Sequence, residues 1–233
     1  MRDPMEAGQP DAARTAAERR PVPADSRSWP GLMIVLSAPS GAGKGTIRER
    51  LQKRLPGLVY AVSVTTRPRR PHEVDGVDYH FVSPEEFQRR VEAGELVEWA
   101  RVYGNYYGTP REPMETWLRE GRDVICEKDV QGALKLMDIY PDAVYIFAMP
   151  PSLEELERRL ERRGTESEEA RRQRLASADF EMACVDRYDY VVVNDDPDRA
   201  ADDIVAIIRA EKLRARRRRH LVERVRAGGR IGG

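Results

Sequence analysis

This chain predicts a doubly wound α/β fold: a parallel sheet of about five strands with helices on both faces and a small domain inserted after the second strand. Three observations carry that expectation. Short apolar runs alternate with amphipathic helical stretches along most of the chain, as repeated βαβ units require. The first run, Leu32 to Ser37, is apolar without a break, which suits a central parallel strand covered on both faces. Between Val64 and Pro113 the pattern gives way to an aromatic, polar stretch with turn signals at Asp75-Gly76 and Gly104-Asn105, the mark of a separate small unit.

Composition narrows the class. The 233 residues, 40% of them hydrophobic, suffice for one large domain or a core with inserted subdomains. No run approaches the ~18 to 20 consecutive apolar residues of a membrane span, and no apolar signal segment opens the chain. A soluble, cytoplasmic protein is expected. Two cysteines, Cys126 and Cys184, and three scattered histidines, His72, His80 and His220, exclude a disulfide framework, a zinc cluster and a caged transition metal. Lys plus Arg equals Asp plus Glu, 40 each, yet from Arg209 onward ten basic residues face only Glu211 and Glu223. That basic end is expected to be a solvated helix end with a frayed extension, and it is the one place where nucleic acid could bind.

The elements follow in order. Residues 1–29 are rich in Ala, Pro, Arg and acids with almost no large apolar side chain, so they are expected to be disordered. The domain is expected from 30 to 209, and a basic tail from 210 to 233. Strand Leu32 to Ser37 leads through a loop into a helix, Thr46 to Arg54, and then into Leu58 to Ser63, expected as one strand. In the insert, strands are expected at Tyr79 to Val82 and Leu96 to Arg101. Between them Ser83 and Glu86 form a capping box for a helix through Ala93. The parallel pattern resumes at Asp123 with strand DVICE, a helix from Val130 to Tyr140 and strand Val144 to Met149. Ser152 and Glu155 cap a charged helix; after the polar gap Gly164 to Ser167 come a helix from Glu168 to Asp186 and strand Tyr190 to Val193. A last amphipathic helix starts near Pro197 with Ile204, Ile207 and Ile208 on one face.

The loop Ser37 to Thr46 reads SAPSGAGKGT. Small residues let successive N–H groups curl around phosphate oxygens, and the following helix N-terminus adds partial positive charge. Gly41, Gly43 and Lys44 supply the inner part of the pattern G-x-x-x-x-G-K-[ST]. Ala38 replaces its first Gly, Gly45 replaces its Ser or Thr, and the hydroxyl moves to Thr46.

Seven ordered blocks, SAPSGAGKGT, SVTTRPRR, EVDGVDYHFVS, LVEWARVYGNYYGT, EKDVQGA, RRLERRGTESEE and VVVND, together resemble the guanylate kinase family from about Pro30 to Arg209. The resemblance implies a P-loop kinase with a core (30–63 and 114–209), a GMP-binding insert (64–113) and a short lid (about 163–175). It implies transfer of the γ-phosphoryl group of ATP to GMP, and to dGMP, giving the diphosphate for GTP supply and GMP recycling, with Mg²⁺ entering as MgATP. ATP and GMP are then the partners, with no membrane. Carried over residue by residue, Ala38, Pro39, Ser40, Gly41, Ala42, Gly43, Lys44, Gly45 and Thr46 hold the ATP phosphates, and Asn194 contacts adenine. Arg67, Arg70, Tyr79 and Tyr107 take the acceptor phosphate. Glu98 and Asp129 accept from the guanine N–H donors, with Ser63 and Thr109 near O6. Arg159, Arg163 and Arg174 bring the lid's charge over the transferred group, and with Lys44, Arg67 and Arg70 complete the catalytic set. Thr46 and Glu127 act on Mg²⁺ indirectly, through water.

The match has departures. Arg69 and His72 replace Pro and Gly of the family's TTRPPRPGE, and Glu127-Lys128-Asp129 replaces Asp-Ile-Asp. Strand alternation sends Lys128 to the face opposite both acids, at the sheet's rim or paired with an acid. Two rivals share the fold: a peptide-binding module without catalysis, against which stand Lys44, Arg67 and Arg70, and a kinase of phosphorylated ribose, against which stand Glu98, Asp129 and Tyr106-Tyr107.

Overall fold

The computed structural model describes residues 29–102, 104–163 and 168–231, and only the backbone at 163 and 168–174. Residues 1–28 and 164–167, the latter within the segment expected as a lid, lie outside the described residues, as do the side chains of Arg163 and Arg174.

Five strands form one parallel sheet in the order β2-β7-β1-β8-β9: β1 (Met33–Ser37), β2 (Val59–Tyr60), β7 (Val124–Lys128), β8 (Val144–Met149) and β9 (Tyr190–Val193). Strand β1 lies at the centre, between β7 and β8, and all its residues are buried. Its side chains alternate between two cores. Ile34 and Leu36 pack with Ile47 and Leu51 of α1 (Lys44–Arg54), Leu156 and Leu160 of α5 (Leu153–Arg163), and Ile204 and Ile208 of α7 (Pro197–Leu213). Met33 and Val35 pack on the other face with Met114 and Leu118 of α3 (Met114–Arg119) and with Ala133 and Leu136 of α4 (Val130–Ile139).

A second sheet, β4-β3-β6-β5, is built from β3 (Ser63–Thr65), β4 (Tyr79–Phe81), β5 (Leu96–Val102) and β6 (Asn105–Pro110), with α2 (Pro84–Glu92) between β4 and β5. The run expected as one strand from Leu58 to Ser63 is therefore two. Val59 and Tyr60 pair with Val124 and Ile125 in the first sheet, while Ser63 pairs with Tyr79 in the second. Periodicity reports which faces are covered, and it is blind to which sheet supplies the partner. Both expected capping boxes are half made. Ser83 and Ser152 accept from the N–H of Glu86 and Glu155, but those glutamates turn to Arg89 and Arg159. Helix α6 (Glu168–Ala183) and a final helix α8 (Arg219–Arg226) complete the chain. The tail thus holds a second short helix where a frayed extension was expected; none of its residues is buried. Among the described residues no helix is long and apolar enough to cross a membrane.

Candidate functional site

The two sheets meet at a cleft of about 530 Å³, within the range of small-ligand sites. At one end the chain leaves β1 and forms the glycine loop. Gly41 and Gly43 hold φ of 100° and 94°, which favours glycine. A Cβ on Gly41 would stand 2.7 Å from Leu160 Cδ2, and one on Gly43 2.8 Å from Asn194 Nδ2. Ala38 and Ala42, by contrast, are packed into the first core, so a methyl group at each is accommodated. Lys44 opens α1, and its Nζ donates to the Ala38 carbonyl at 2.8 Å. Thr46 is exposed on the first turn and lines the cleft. The N–H groups of that turn have no carbonyl before them within the helix, which leaves them to an anion.

Asn194 and Arg159 stand behind this loop, outside the cleft lining. Asn194 is buried and its Nδ2 donates to the Ala42 carbonyl at 2.5 Å. Arg159 donates to the carbonyls of Ala42, at 3.3 Å, and Asn194, at 3.0 Å. Both brace the loop in this geometry.

At the other end Arg67 and Arg70 are gathered by a residue that motif reading missed, Glu73. Its carboxylate accepts from Arg67 Nη2 at 2.6 Å and from the Arg70 N–H at 2.8 Å. Burial works against the ionised form, yet Arg67 and Arg70 hold the Glu73 carboxyl below its ordinary value. Arg69, a departure from the family pattern, donates to the Glu73 carbonyl. Tyr79 and Tyr107 meet edge to face with centroids 5.9 Å apart, and the Arg67 guanidinium lies 5.5 Å from the Tyr79 ring. Burial pushes the Tyr79 phenol well up, so it is a neutral donor at neutral pH.

Glu98 is buried on β5 beside a register shift in the β5/β6 pairing. Thr109, buried behind it, donates to its Oε1. Asp129 is the N-cap of α4 and accepts from the Gly132 N–H at 3.1 Å. Gly132 is the second missed residue: a Cβ there would stand 3.0 Å from Asp129 Oδ1 and 3.3 Å from Glu98 Oε2, so its absence makes room for the two acids. Burial raises the Glu98 carboxyl above its ordinary value, with Lys128 and Thr109 opposing.

Lys128 corrects the alternation argument. Strand β7 ends on it and Asp129 already turns into the helix, so Glu127, Lys128 and Asp129 all line the one cleft. Lys128 is buried, its Nζ 2.6 Å from Ser63 Oγ and 3.8 Å from Glu98 Oε1.

Glu127 faces Arg48, a third missed residue, in an ion pair with Nε and Oε1 3.2 Å apart but out of hydrogen-bond alignment, so Glu127 Oε1 has no hydrogen-bond partner. Burial raises the Glu127 carboxyl, with Arg48 and Lys44 opposing. Arg48 also reaches Asp78 of the insert at 3.4 Å and lies 4.3 Å over the Tyr60 ring. Among the described residues no cluster of three or more His, Cys, Asp or Glu side chains could hold a metal by itself. Cys126 is buried, its thiol pushed up to about 11 by that burial, and Cys184 is half-buried.

Comparison with known proteins gives one consistent result. A family model described as guanylate kinase matches residues 31–211. A guanylate kinase of Symbiobacterium thermophilum is 54% identical over 184 residues, 79% of this chain and 87% of that one. One of Desulfitobacterium hafniense is 49% identical over 195 residues, 84% of this chain and 98% of that one. The crystal structure of guanylate kinase from Anaplasma phagocytophilum aligns with a TM-score of 0.69 at 41% identity, covering 80% of this chain and 89% of that one.

Proposed function

The chain belongs to the guanylate kinase family, and from that premise we propose that it transfers the γ-phosphoryl group of ATP to GMP, giving ADP and GDP, in the cytoplasm. The observation that carries this reading is a single cleft lined at one end by the glycine loop and at the other by a guanidinium pair and two carboxylates. Phosphoryl transfer asks a protein mainly to align two phosphates and to neutralise developing charge.

The loop N–H groups and Lys44 hold the donor phosphates; Lys44 exchanges the Ala38 carbonyl for phosphate oxygen. Arg67 and Arg70, oriented by Glu73, take the acceptor phosphate, with the Tyr79 and Tyr107 hydroxyls beside them, each guanidinium offering parallel N–H donors to a dianion. Glu98 and Asp129 accept from guanine N1–H and the 2-amino group, Ser63 donates to O6, and Thr109 orients Glu98. Adenine would leave buried acceptors unpaired, a mismatch worth up to ~10⁴-fold in polar sites. The insert (64–113) closes the acceptor, and the lid (about 163–175) brings Arg163 and Arg174 over the donor, while Arg159 steadies the loop that holds it.

The donor set fits magnesium bound chiefly to phosphate: the Glu127 oxygen that accepts no hydrogen bond and the Thr46 hydroxyl both belong to residues of the cleft lining and would hold its waters. Bound as MgATP, the ion neutralises charge on the phosphate oxygens.

An assay of ATP with GMP, AMP and ribose phosphates tests the reading. GMP is expected to be the preferred acceptor. Lys44→Ala is expected to lose turnover with every acceptor, by about 10²-fold or more, the scale on which one aimed donor acts. A preference for AMP, or a folded protein without turnover, contradicts the proposal.

A further inference from the structure

We propose that Lys128 is a specificity-determining residue of the acceptor pocket, donating a charged hydrogen bond to the 6-oxo group of the purine; this rests on the guanylate kinase reading above. The Lys128 carbonyl accepts from the Ser37 hydroxyl at 3.1 Å, which fixes the residue at the end of β7 that opens on the cleft. Its side chain is 5% exposed. An ammonium has three donors. Ser63 Oγ takes one at 2.6 Å, and Glu98 Oε1, at 3.8 Å, lies beyond hydrogen-bond range. A buried ammonium is costly unless its donors are met, and a ligand acceptor in the cleft meets them.

The arrangement also says which acceptor. Ser63 accepts from Lys128, so its own O–H is left to donate in the same region. Two donors then stand beside the Glu98 acceptor, and their complement is a ring edge carrying an acceptor next to a donor. Guanine presents O6 beside N1–H. Adenine presents an amino donor where O6 would be, facing the ammonium, and an N1 acceptor facing the carboxylate. Lys128 therefore adds a discriminating contact that the two acids, which read the N–H donors, do not supply.

The test is steady-state kinetics on the full chain with GMP, IMP and 6-thio-GMP, wild type beside Lys128→Met and Lys128→Gln. The thio analogue replaces O6 by a weakly accepting sulfur and keeps N1–H and the 2-amino group; IMP keeps O6 and lacks the 2-amino group. Wild type is expected to prefer GMP over 6-thio-GMP by about tenfold or more in kcat/KM, the worth of one charged hydrogen bond. That preference is expected to fall toward parity in Lys128→Met, and partly in Lys128→Gln, while GMP and IMP weaken together through KM. An unchanged ratio of GMP to 6-thio-GMP in a folded variant overturns the inference. So does a loss confined to the preference for GMP over IMP, which would place Lys128 behind Glu98 as a charge partner only. Should Lys128→Met not fold, Lys128→Gln, which keeps a donor for Ser63, carries the comparison. Absence of GMP turnover in wild type fails differently: it overturns the reading of the whole site.

Discussion

Glu98 shows at the scale of one residue how burial becomes function. Buried among Thr109, Lys128, Asp129 and Lys135, its carboxyl titrates above its ordinary value, chiefly through desolvation. Only the ionised form accepts from both guanine donors. The preference for GMP over IMP, in which titration of the acceptor phosphate cancels, is therefore expected to decline on acidification, with a midpoint above the ~4.3 of an unperturbed glutamate. A ratio that stays flat down to that pH contradicts the assignment. The stability effect has the opposite sign from that of a salt-bridged acid. The native state keeps this proton to higher pH than the unfolded chain, so the group costs stability as pH rises from the unfolded value to the folded one. Glu98 and Asp129 were legible in the sequence because the surrounding blocks resemble a known family. Glu73, Gly132 and Arg48 were not, since each acts on another protein group, and which group that is depends on the fold. Lys128 was visible as a departure, but its destination was not, because alternation stops where β7 gives way to the N-cap of α4.

Among elements, sequence pattern missed the short helices α3 and α8, the separate strand β3, and strand β6. Strand β6 carries Gly108 and Pro110 within six residues, NYYGTP, and both discourage a strand assignment. Contacts explain the glycine: a Cβ at Gly108 would stand 2.7 Å from Leu96 Cδ1 and 3.2 Å from Phe87 Cζ, in the small core of the insert. Gly108→Ala is expected to lose about 1–3 kcal/mol of stability by overpacking and to raise KM for GMP more than for ATP, since Thr109 and Tyr107 flank it. Chemical denaturation and two-substrate kinetics check both parts; unchanged stability contradicts the packing argument. The long parallel strands were legible for the complementary reason: β1 and β8 are covered on both faces, so their identity is written in continuous apolar runs.

For the whole molecule, the tail is fastened to the domain ahead of α8: Glu211 accepts from the Tyr190 hydroxyl, Lys212 reaches Asp123, Arg214 reaches Tyr190, and Arg216 and Arg217 reach the side chain and carbonyl of Asp142. In α8 itself no residue is buried. Truncation after Arg218 is expected to change unfolding free energy by less than about 0.5 kcal/mol, as for surface changes generally, and to leave GMP turnover intact; a larger loss means that α8 is packed in solution. The joint between the sheets is another matter. Arg48 leaves the helix that starts at the glycine loop and touches both Glu127, at the end of the core sheet, and Asp78, in the insert. In-line transfer tolerates little misplacement of one phosphate against the other. Two cradles surveyed from separate landmarks would each add their own error, whereas here one guanidinium is the common datum, so the distance between donor and acceptor is measured from a single post.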